Sequence, residues 1–334
     1  MPAEEKLKIL VTGGSGFLGS HIAEQLSQKG HHVVALVRKT SDCSFLRVLP
    51  NVSLAYGAVE DRAAVEAAAE GVDAIIHAAG LVKAQGPSEF DRINVGGTEN
   101  LLAAGKKRGR ALKRFVFVSS LAAMGPSENG EPVSPLREAR PVTHYGRSKL
   151  RAERAVLAAK DEIAVTVIRP PLIYGPRDNE CFAFFQSVSR RLLPYIGDGK
   201  NTLSIIYGAD AASACVRAIF ADVPSGRCYF IDDGKIYVWR EMLEELERVL
   251  GRRALVRFSI PLSVLKGVAV ATEGYGRLRK KAVMLTRDKL NELSAPHWVC
   301  DGRDARTDLG WAPSVEWTEG ATRAAAWYRE QGWL

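Results

Sequence analysis

The stretch Leu10-Val11-Thr12-Gly13-Gly14-Ser15-Gly16-Phe17-Leu18-Gly19 constrains this chain more than any other. Lys8–Val11 reads as a strand, and Phe17–Lys29 reads as a helix that stops at Gly30. The turn between them is so rich in glycine that the backbone can fold tightly and come close to a bound group, because no Cβ stands in the way. The following helix N-terminus offers free N–H groups and partial positive charge, a cradle for a pyrophosphate. The glycines admit two readings. Gly14, Gly16 and Gly19 fit G-x-G-x-x-G, whereas Gly13, Gly16 and Gly19 fit T-G-x-x-G-x-x-G with Thr12 ahead of them. On either reading, Thr12, Gly13, Gly14, Ser15, Gly16, Phe17, Leu18 and Gly19 are the candidates for holding a dinucleotide.

Strand and helix patterns go on alternating. His32–Val37, Ala74–His77, Phe115–Ser119 and Val165–Arg169 read as buried strands, and Arg62–Glu70, Glu89–Lys107 and Val142–Lys160 as helices. This order predicts an α/β fold, a doubly wound parallel sheet covered on both faces. The 334 residues exceed one small core. A dinucleotide-binding domain is expected over 1–171 and a smaller substrate domain over 172–334. Pro170, Pro171 and Pro176 break the pattern. It resumes with a helix at Ala209–Phe220 and a strand at Cys228–Ile231, so residues 203–233 are expected to return to the main sheet and leave the second domain discontinuous. Trp239–Leu250 reads as an amphipathic helix, and the aromatics between Trp311 and Trp333 as core.

Five scattered cysteines without a C-x-x-C pair argue for a reducing compartment and against a structural zinc. The polar N-terminus lacks the apolar core of a signal peptide, and no run reaches the roughly 18 apolar residues of a membrane span. The cytoplasm is the expected compartment. The net charge of +8 is uneven: Arg252–Lys281 holds eight basic residues and one acid, Glu273. A solvated basic face is the plain reading, and a surface for anionic lipid or substrate the sharper one. No basic–aromatic interleaving accompanies the charge, so nucleic acid is not an expected partner. Inside this region Ile260–Ala271 is mostly hydrophobic. Its length fits a buried helix first, then a lid over an apolar pocket or a membrane-touching surface.

The end of the second strand bears on the choice of dinucleotide. An NAD site usually places an acid there for the ribose 2′-hydroxyl. Here Val37 is followed by Arg38 and Lys39, with no acid before Asp42. Arg38 can pair with a 2′-phosphate and Lys39 adds charge, so NADP(H) is expected over NAD(H). Tyr145-Gly146-Arg147-Ser148-Lys149 then supplies Y-x-x-x-K, whose ends share one helical face. The ammonium of Lys149 near the phenol of Tyr145 would lower the phenol from its ordinary value of about 10 by roughly 1–3 units. Ser120 ends a buried-strand pattern, at the carboxyl edge where open α/β sheets bind ligands, and can hold a substrate oxygen against Tyr145. Ser119 is an alternative.

On these residues the chain resembles the extended short-chain dehydrogenase/reductase superfamily over almost its whole length. The motifs are Thr12–Gly19, His77-Ala78-Ala79-Gly80, Asn94-Val95-Gly96-Gly97-Thr98, Ser119-Ser120, Tyr145–Lys149 and Arg169-Pro170. The resemblance implies a Rossmann sheet, a catalytic Ser120–Tyr145–Lys149 set and a homodimer formed through the helices at Glu89–Lys107 and Val142–Lys160. It further implies that Lys149 binds the nicotinamide ribose, that Ala78, Ala79 and Gly80 face the cofactor and that Pro170 lies near the carboxamide. The His77 side chain is expected to be structural. Many members place an adenine-binding Asp after the third strand; Ala58 stands there, leaving only the backbone of Val59. Pro171 follows Arg169-Pro170 where sugar-modifying members commonly carry an Asn after the Arg. The branch implied is therefore that of hydroxysteroid dehydrogenases and dihydroflavonol reductases. The expected reaction is hydride transfer between NADP(H) and a secondary alcohol or ketone of an apolar small molecule, sterol-, terpenoid- or flavonoid-like. A nucleotide-sugar epimerase or dehydratase with bound NAD is the alternative within the fold, and a non-catalytic dinucleotide sensor the alternative outside enzymology.

Overall fold

The computed structural model describes residues 5–279, 281–283 and 285–334. Its centre is a parallel sheet of seven strands: β1 (Lys8–Thr12), β2 (His32–Val37), β3 (Val52–Tyr56), β4 (Ala74–His77), β5 (Arg114–Val118), β6 (Val165–Arg169) and β7 (Arg227–Phe230). Their order is β3-β2-β1-β4-β5-β6-β7. The chain therefore reverses its direction of travel across the sheet between β1 and β4, the place where such sheets bind ligands.

The apolar alternation divides between two faces. Ile9 and Val11 of β1 join one buried cluster with Ile22 and Leu26 of α1 (Phe17–Gln28), while Leu10 joins the other with Val34, Phe115 and Phe117. That second face is covered by α2 (Arg62–Ala68), α3 (Gly97–Arg108) and α4 (His144–Ala158). Helix α5 (Gly208–Phe220) covers the first face beside α1, and the chain then runs into β7, which pairs parallel with β6.

After β6 the chain leaves the sheet and builds a further core of Tyr174, Phe185, Leu246, Trp317 and Tyr328. The expected loop-rich stretch holds more order than its prolines suggest. Leu172–Tyr174 pairs with Ile205–Tyr207, and Leu192–Ile196 pairs with Val256–Ile260, each in parallel. These strands find partners distant in sequence, so no local pattern announces them.

Two helical expectations are corrected. Glu89–Lys107 is not one helix: a short α-turn at Pro87–Phe90 leads into a π-helical turn at Asp91–Gly96 and then α3. The apolar run at 260–271 is not buried either. It belongs to α6 (Leu262–Arg279), of which only Leu265, Ala269 and Gly276 are fully covered, against the region of α7 (Arg287–Leu293). No helix among the described residues is long and apolar enough to cross a membrane.

Candidate active site

The glycine turn is shaped by close contact. Gly13 has φ +72°, and a Cβ there would lie 2.8 Å from the Ala79 amide nitrogen. A Cβ on Gly19 would sit within the van der Waals shell of the Gly13 carbonyl. Gly14 has neither restriction, since its nearest neighbour would be the Ala35 methyl at 3.3 Å. The geometry thus selects Gly13 and Gly19 as the residues that must lack a side chain, while a Cβ on Gly16 would lie 3.2 Å from the Gly13 carbonyl oxygen, a milder contact. Helix α1 starts at Gly16 with no side-chain cap and no acid in its first turn. Its amides and dipole remain free for an anion such as a pyrophosphate.

Thr12 ties this turn to β4. Its hydroxyl accepts from the Ala79 amide at 3.2 Å and meets His77 Nδ1 at 2.7 Å. His77 Nε2 lies 2.9 Å from the Thr98 hydroxyl, which donates onward to the Asn94 carbonyl at 2.6 Å. With that proton committed, Thr98 accepts from His77 Nε2–H, and Thr12 donates to Nδ1. Burial, helped by the charge of Lys149, holds the imidazole down to about 3. His77 is a neutral fastener, as its place in the motif suggested.

This has a consequence for acid stability. The unfolded chain protonates a histidine near pH 6.5, whereas native His77 stays neutral to about 3. Between these values the unfolded state binds more protons, so stability falls with falling pH by up to ~1.4 kcal/mol per unit for this site. His21, held down to about 3 by burial and Arg177, adds to the slope. Denaturant melts at several pH values between about 4 and 7 should show the loss, and His77→Gln should flatten it. Equal slopes in the two proteins would contradict the assignment.

Arg38 and Lys39 stand exposed beyond the end of β2. Among the described residues neither side chain has an ion-pair or hydrogen-bond partner. After β3, the carboxylate of Asp61 accepts from the Ala64 amide at 3.1 Å as the N-cap of α2. The Val59 carbonyl accepts from Asn100 Nδ2 at 3.0 Å.

Asn94, quoted only as part of a motif, emerges as an organiser. Its carboxamide accepts from the Leu81 amide at 2.7 Å and donates to the Leu81 carbonyl at 3.0 Å and the Ser148 hydroxyl at 2.9 Å. It thereby joins the loop after β4 to α4 from within the π-helical turn, a rare local form that recurs at functional sites. A Cβ on Gly80 would lie 3.3 Å from Asn94 Oδ1 and 3.8 Å from Lys149 Nζ. The segment 79–80 therefore spans from the glycine turn to Lys149.

The two serines after β5 separate cleanly. Ser119 is buried and donates to Glu153 at 2.8 Å, within an ion pair of Glu153 and Arg169 at 2.5 Å that is itself almost wholly buried. Ser120 is part-exposed, and its hydroxyl accepts from the Ala122 amide at 3.1 Å. The Leu121 amide beside it donates to the Pro170 carbonyl at 2.8 Å.

Tyr145 occupies the first turn of α4, capped by Thr143, with its ring 6.2 Å from that of Phe90. The residue faces a cleft of about 700 Å³ yet its hydroxyl end is enclosed. Enclosure pushes the phenol up to about 12, the nearby Ser120 hydroxyl pulls the other way, and the charge of Glu292 adds to the rise. The expected lowering by Lys149 is corrected here. Lys149 Nζ donates to the Val118 carbonyl at 2.6 Å and lies 4.3 Å from the centre of the Phe117 ring. Burial brings its own ammonium down to about 7, against a smaller opposing effect of Glu153. The cation is thus committed to the end of β5.

The cleft runs between the loop at 82–90, the start of α4, and the described residues at 273–277, 281, 283 and 286–292. Its wall mixes the apolar Val82, Pro87, Phe90 and Val283 with Lys83, Arg277, Lys281, Arg287 and Lys289, set against Glu273, Asp288 and Glu292. Among the described residues no group of His, Cys, Asp and Glu side chains could hold a metal ion.

Residues 9–231 match the NAD dependent epimerase/dehydratase family. The chain belongs to that family. The family's reductases include relatives that align along their whole length. A 2-alkyl-3-oxoalkanoate reductase of Stenotrophomonas maltophilia is 33% identical over 96% of this chain and 99% of its own. A ceramide reductase of Caulobacter vibrioides is 30% identical over 100% of this chain and 98% of its own. In structure, the UDP-glucose 4-epimerase of Thermotoga maritima superposes with a TM-score of 0.81 at 22% identity, covering 97% and 99% of the two chains, a likeness of fold alone. The protein is an NAD(P)-dependent oxidoreductase of the extended short-chain type within this epimerase/dehydratase family.

Proposed function

We propose that this enzyme moves hydride between NADP(H) and a secondary alcohol or ketone carried on an apolar small molecule. The observation that carries the reading is the placement of Tyr145 at the wall of a large cleft, one helical turn from Lys149, with Ser120 close enough to act on its phenol. The reduced nicotinamide supplies the hydride when bound. Tyr145 then gives its phenolic proton to the substrate oxygen, and Ser120 donates a hydrogen bond to that oxygen. Lys149 must leave the Val118 carbonyl, or share it, to reach the ribose and favour the phenolate. Positioned proton transfer of this kind contributes about 10²–10⁴-fold.

The apolar substrate class draws support from the two reductases, whose names describe acyl-chain compounds. We further assign dinucleotide binding to residues 1–171 with 203–233, and substrate recognition to the remainder of 172–334. Thr12–Gly19, the backbones of Val59 and Ala78–Gly80, and Pro170 would line the dinucleotide. Family resemblance carries a homodimer through α3 and α4, and the scattered free cysteines favour the cytoplasm.

The cofactor preference is the direct test. Arg38 has no partner among the described residues and is free to pair with a 2′-phosphate. A charge-assisted pair of this kind is worth about 1.5–3 kcal/mol, or roughly 10–100-fold. Fluorescence titration should show NADPH binding more tightly than NADH, and Arg38→Ala should erase most of the difference. Equal affinities in the wild type, or a preference unchanged by Arg38→Ala, would refute the assignment. Oxidation of NADPH by long-chain 3-oxo compounds, followed by absorbance, tests the reaction itself.

A further inference from the structure

Helix α6 carries two apolar stripes, and only one is covered. Leu265, Ala269, Thr272 and Gly276 recur at helical spacing and turn inward. Val264, Val268, Ala271, Tyr275 and Leu278 follow the same spacing on an adjacent face and stand in solvent. Val264 is 52% exposed, Tyr275 58% and Leu278 82%. The strand Val256–Ile260 leads into this helix and presents Val256 and Phe258 to solvent as well, next to Leu255 at 74%. Single exposed apolar residues are ordinary, but a continuous stripe of them marks a surface that something covers.

Charge identifies the cover. The stretch Arg252–Lys281 holds eight basic residues and the single acid Glu273; Arg257 is paired with Glu247 at 2.5 Å, and Glu273 is shared by Arg287 at 2.9 Å and Arg277 at 3.9 Å. Lys266 and Arg279 on α6 are exposed, and among the described residues neither has an acidic partner. A second copy of so basic a face would repel the first, whereas an anionic headgroup layer would complement it. The helix has 18 residues, about 27 Å, and carries Lys266, Glu273, Arg277 and Arg279 along it. It is built to lie in an interface and not to span one.

We propose that α6 and the strand before it dock on an anionic bilayer, with the Val264–Leu278 stripe in the headgroup–acyl boundary and Lys266 and Arg279 among the phosphates. The same helix gives Glu273, Gly276 and Arg277 to the wall of the cleft that reaches Tyr145. Docking therefore sets the cleft beside the lipid phase. If the proposed hydride transfer to an apolar substrate holds, that substrate is a membrane-dissolved amphiphile, which enters without crossing water.

Flotation of the purified full chain with vesicles tests this without recourse to activity. The chain should rise with phosphatidylcholine vesicles that contain about one third phosphatidylglycerol, and less so as salt is added. It should stay behind with pure phosphatidylcholine. Val268→Asp with Tyr275→Asp should lower binding at least about tenfold. Lys266→Glu with Arg279→Glu should lower it about fivefold or more for each cation removed. Circular-dichroism melts and dinucleotide affinity should not change in either variant, because all four side chains are exposed and outside the cleft. Absence of flotation with anionic vesicles, or flotation indifferent to both variants, overturns the proposal. So does light scattering that shows a dimer split by Val268→Asp with Tyr275→Asp, which would assign the stripe to a second copy. Flotation with no reductase activity toward any amphiphile upholds the docking and counts only against the proposed reaction.

Discussion

Replacing Tyr145 with phenylalanine should lower turnover by about two to four orders of magnitude while dinucleotide affinity stays within a few-fold of the wild type. The substitution removes one oxygen. The ring keeps its place against Phe90, and the glycine turn, Gly80 and Lys149 are untouched. What is lost is the proton that the phenol delivers to the substrate oxygen, together with the phenol's interaction with the nearby Ser120 hydroxyl. Single-turnover rates at saturating cofactor and substrate measure this without interference from binding. Turnover near the wild-type level would remove Tyr145 from the chemistry and favour a different acid. The pH dependence offers an independent view. In the cofactor-free protein the phenol is held at about 12, and Lys149 is occupied with the Val118 carbonyl. Alcohol oxidation needs the phenolate, so its rate should rise with pH. The midpoint should lie below 12, because a bound oxidised nicotinamide adds positive charge and draws Lys149 away from Val118.

Gly19→Ala should weaken dinucleotide binding about 100-fold or more, and Gly14→Ala only slightly. The added methyl at Gly19 would overlap the Gly13 carbonyl and the Gly14 amide, so the turn itself must move. The free amides at the start of α1 would then no longer converge on one anion. Losing two charge-assisted hydrogen bonds at about 1.5–3 kcal/mol each accounts for the expected factor. At Gly14 the one tight contact of the methyl would be with the side chain of Ala35 at 3.3 Å, which a small shift relieves. Titration calorimetry on both variants, with melting curves to confirm folding, reads the difference. A reversed order would restore the G-x-G-x-x-G reading of the loop.

The sheet was legible because each central strand is buried on both faces and therefore written as an unbroken apolar run. His32–Val37, Ala74–His77 and Val165–Arg169 have the boundaries that their composition implied. Strand β3 lies at the edge, half-covered, and has no such run. The π-helical turn was invisible for a different reason. It is held by the Asn94 carboxamide on Leu81 and Ser148, contacts that exist only once the loop after β4 and α4 have come together. The same holds for Lys149. Its spacing from Tyr145 places both on one helical face, but the carbonyl that claims its ammonium belongs to a strand 31 residues away. For α6, composition revealed an apolar helix, and the second apolar stripe was present in the spacing. Which stripe is covered depends on Leu290 and on Ile196 of the strand Leu192–Ile196, which no local pattern connects to it.

The buried pairing of Glu153 with Arg169 limits how descendants of this sequence can drift. The two positions are 16 residues apart, on α4 and β6, and Ser119 is bound into the same contact. Losing either partner alone strands the other charge in the interior at a cost of about 3–5 kcal/mol. That is a large part of the 5–15 kcal/mol by which a typical domain is stable. Exchange of both together for apolar residues of similar volume can be nearly neutral. Single steps in either order thus cross a valley, and the two positions should be inherited as a unit. The helix that bears Tyr145 and the strand end that bears Ser120 are consequently moored to a joint that point mutation seldom loosens gradually.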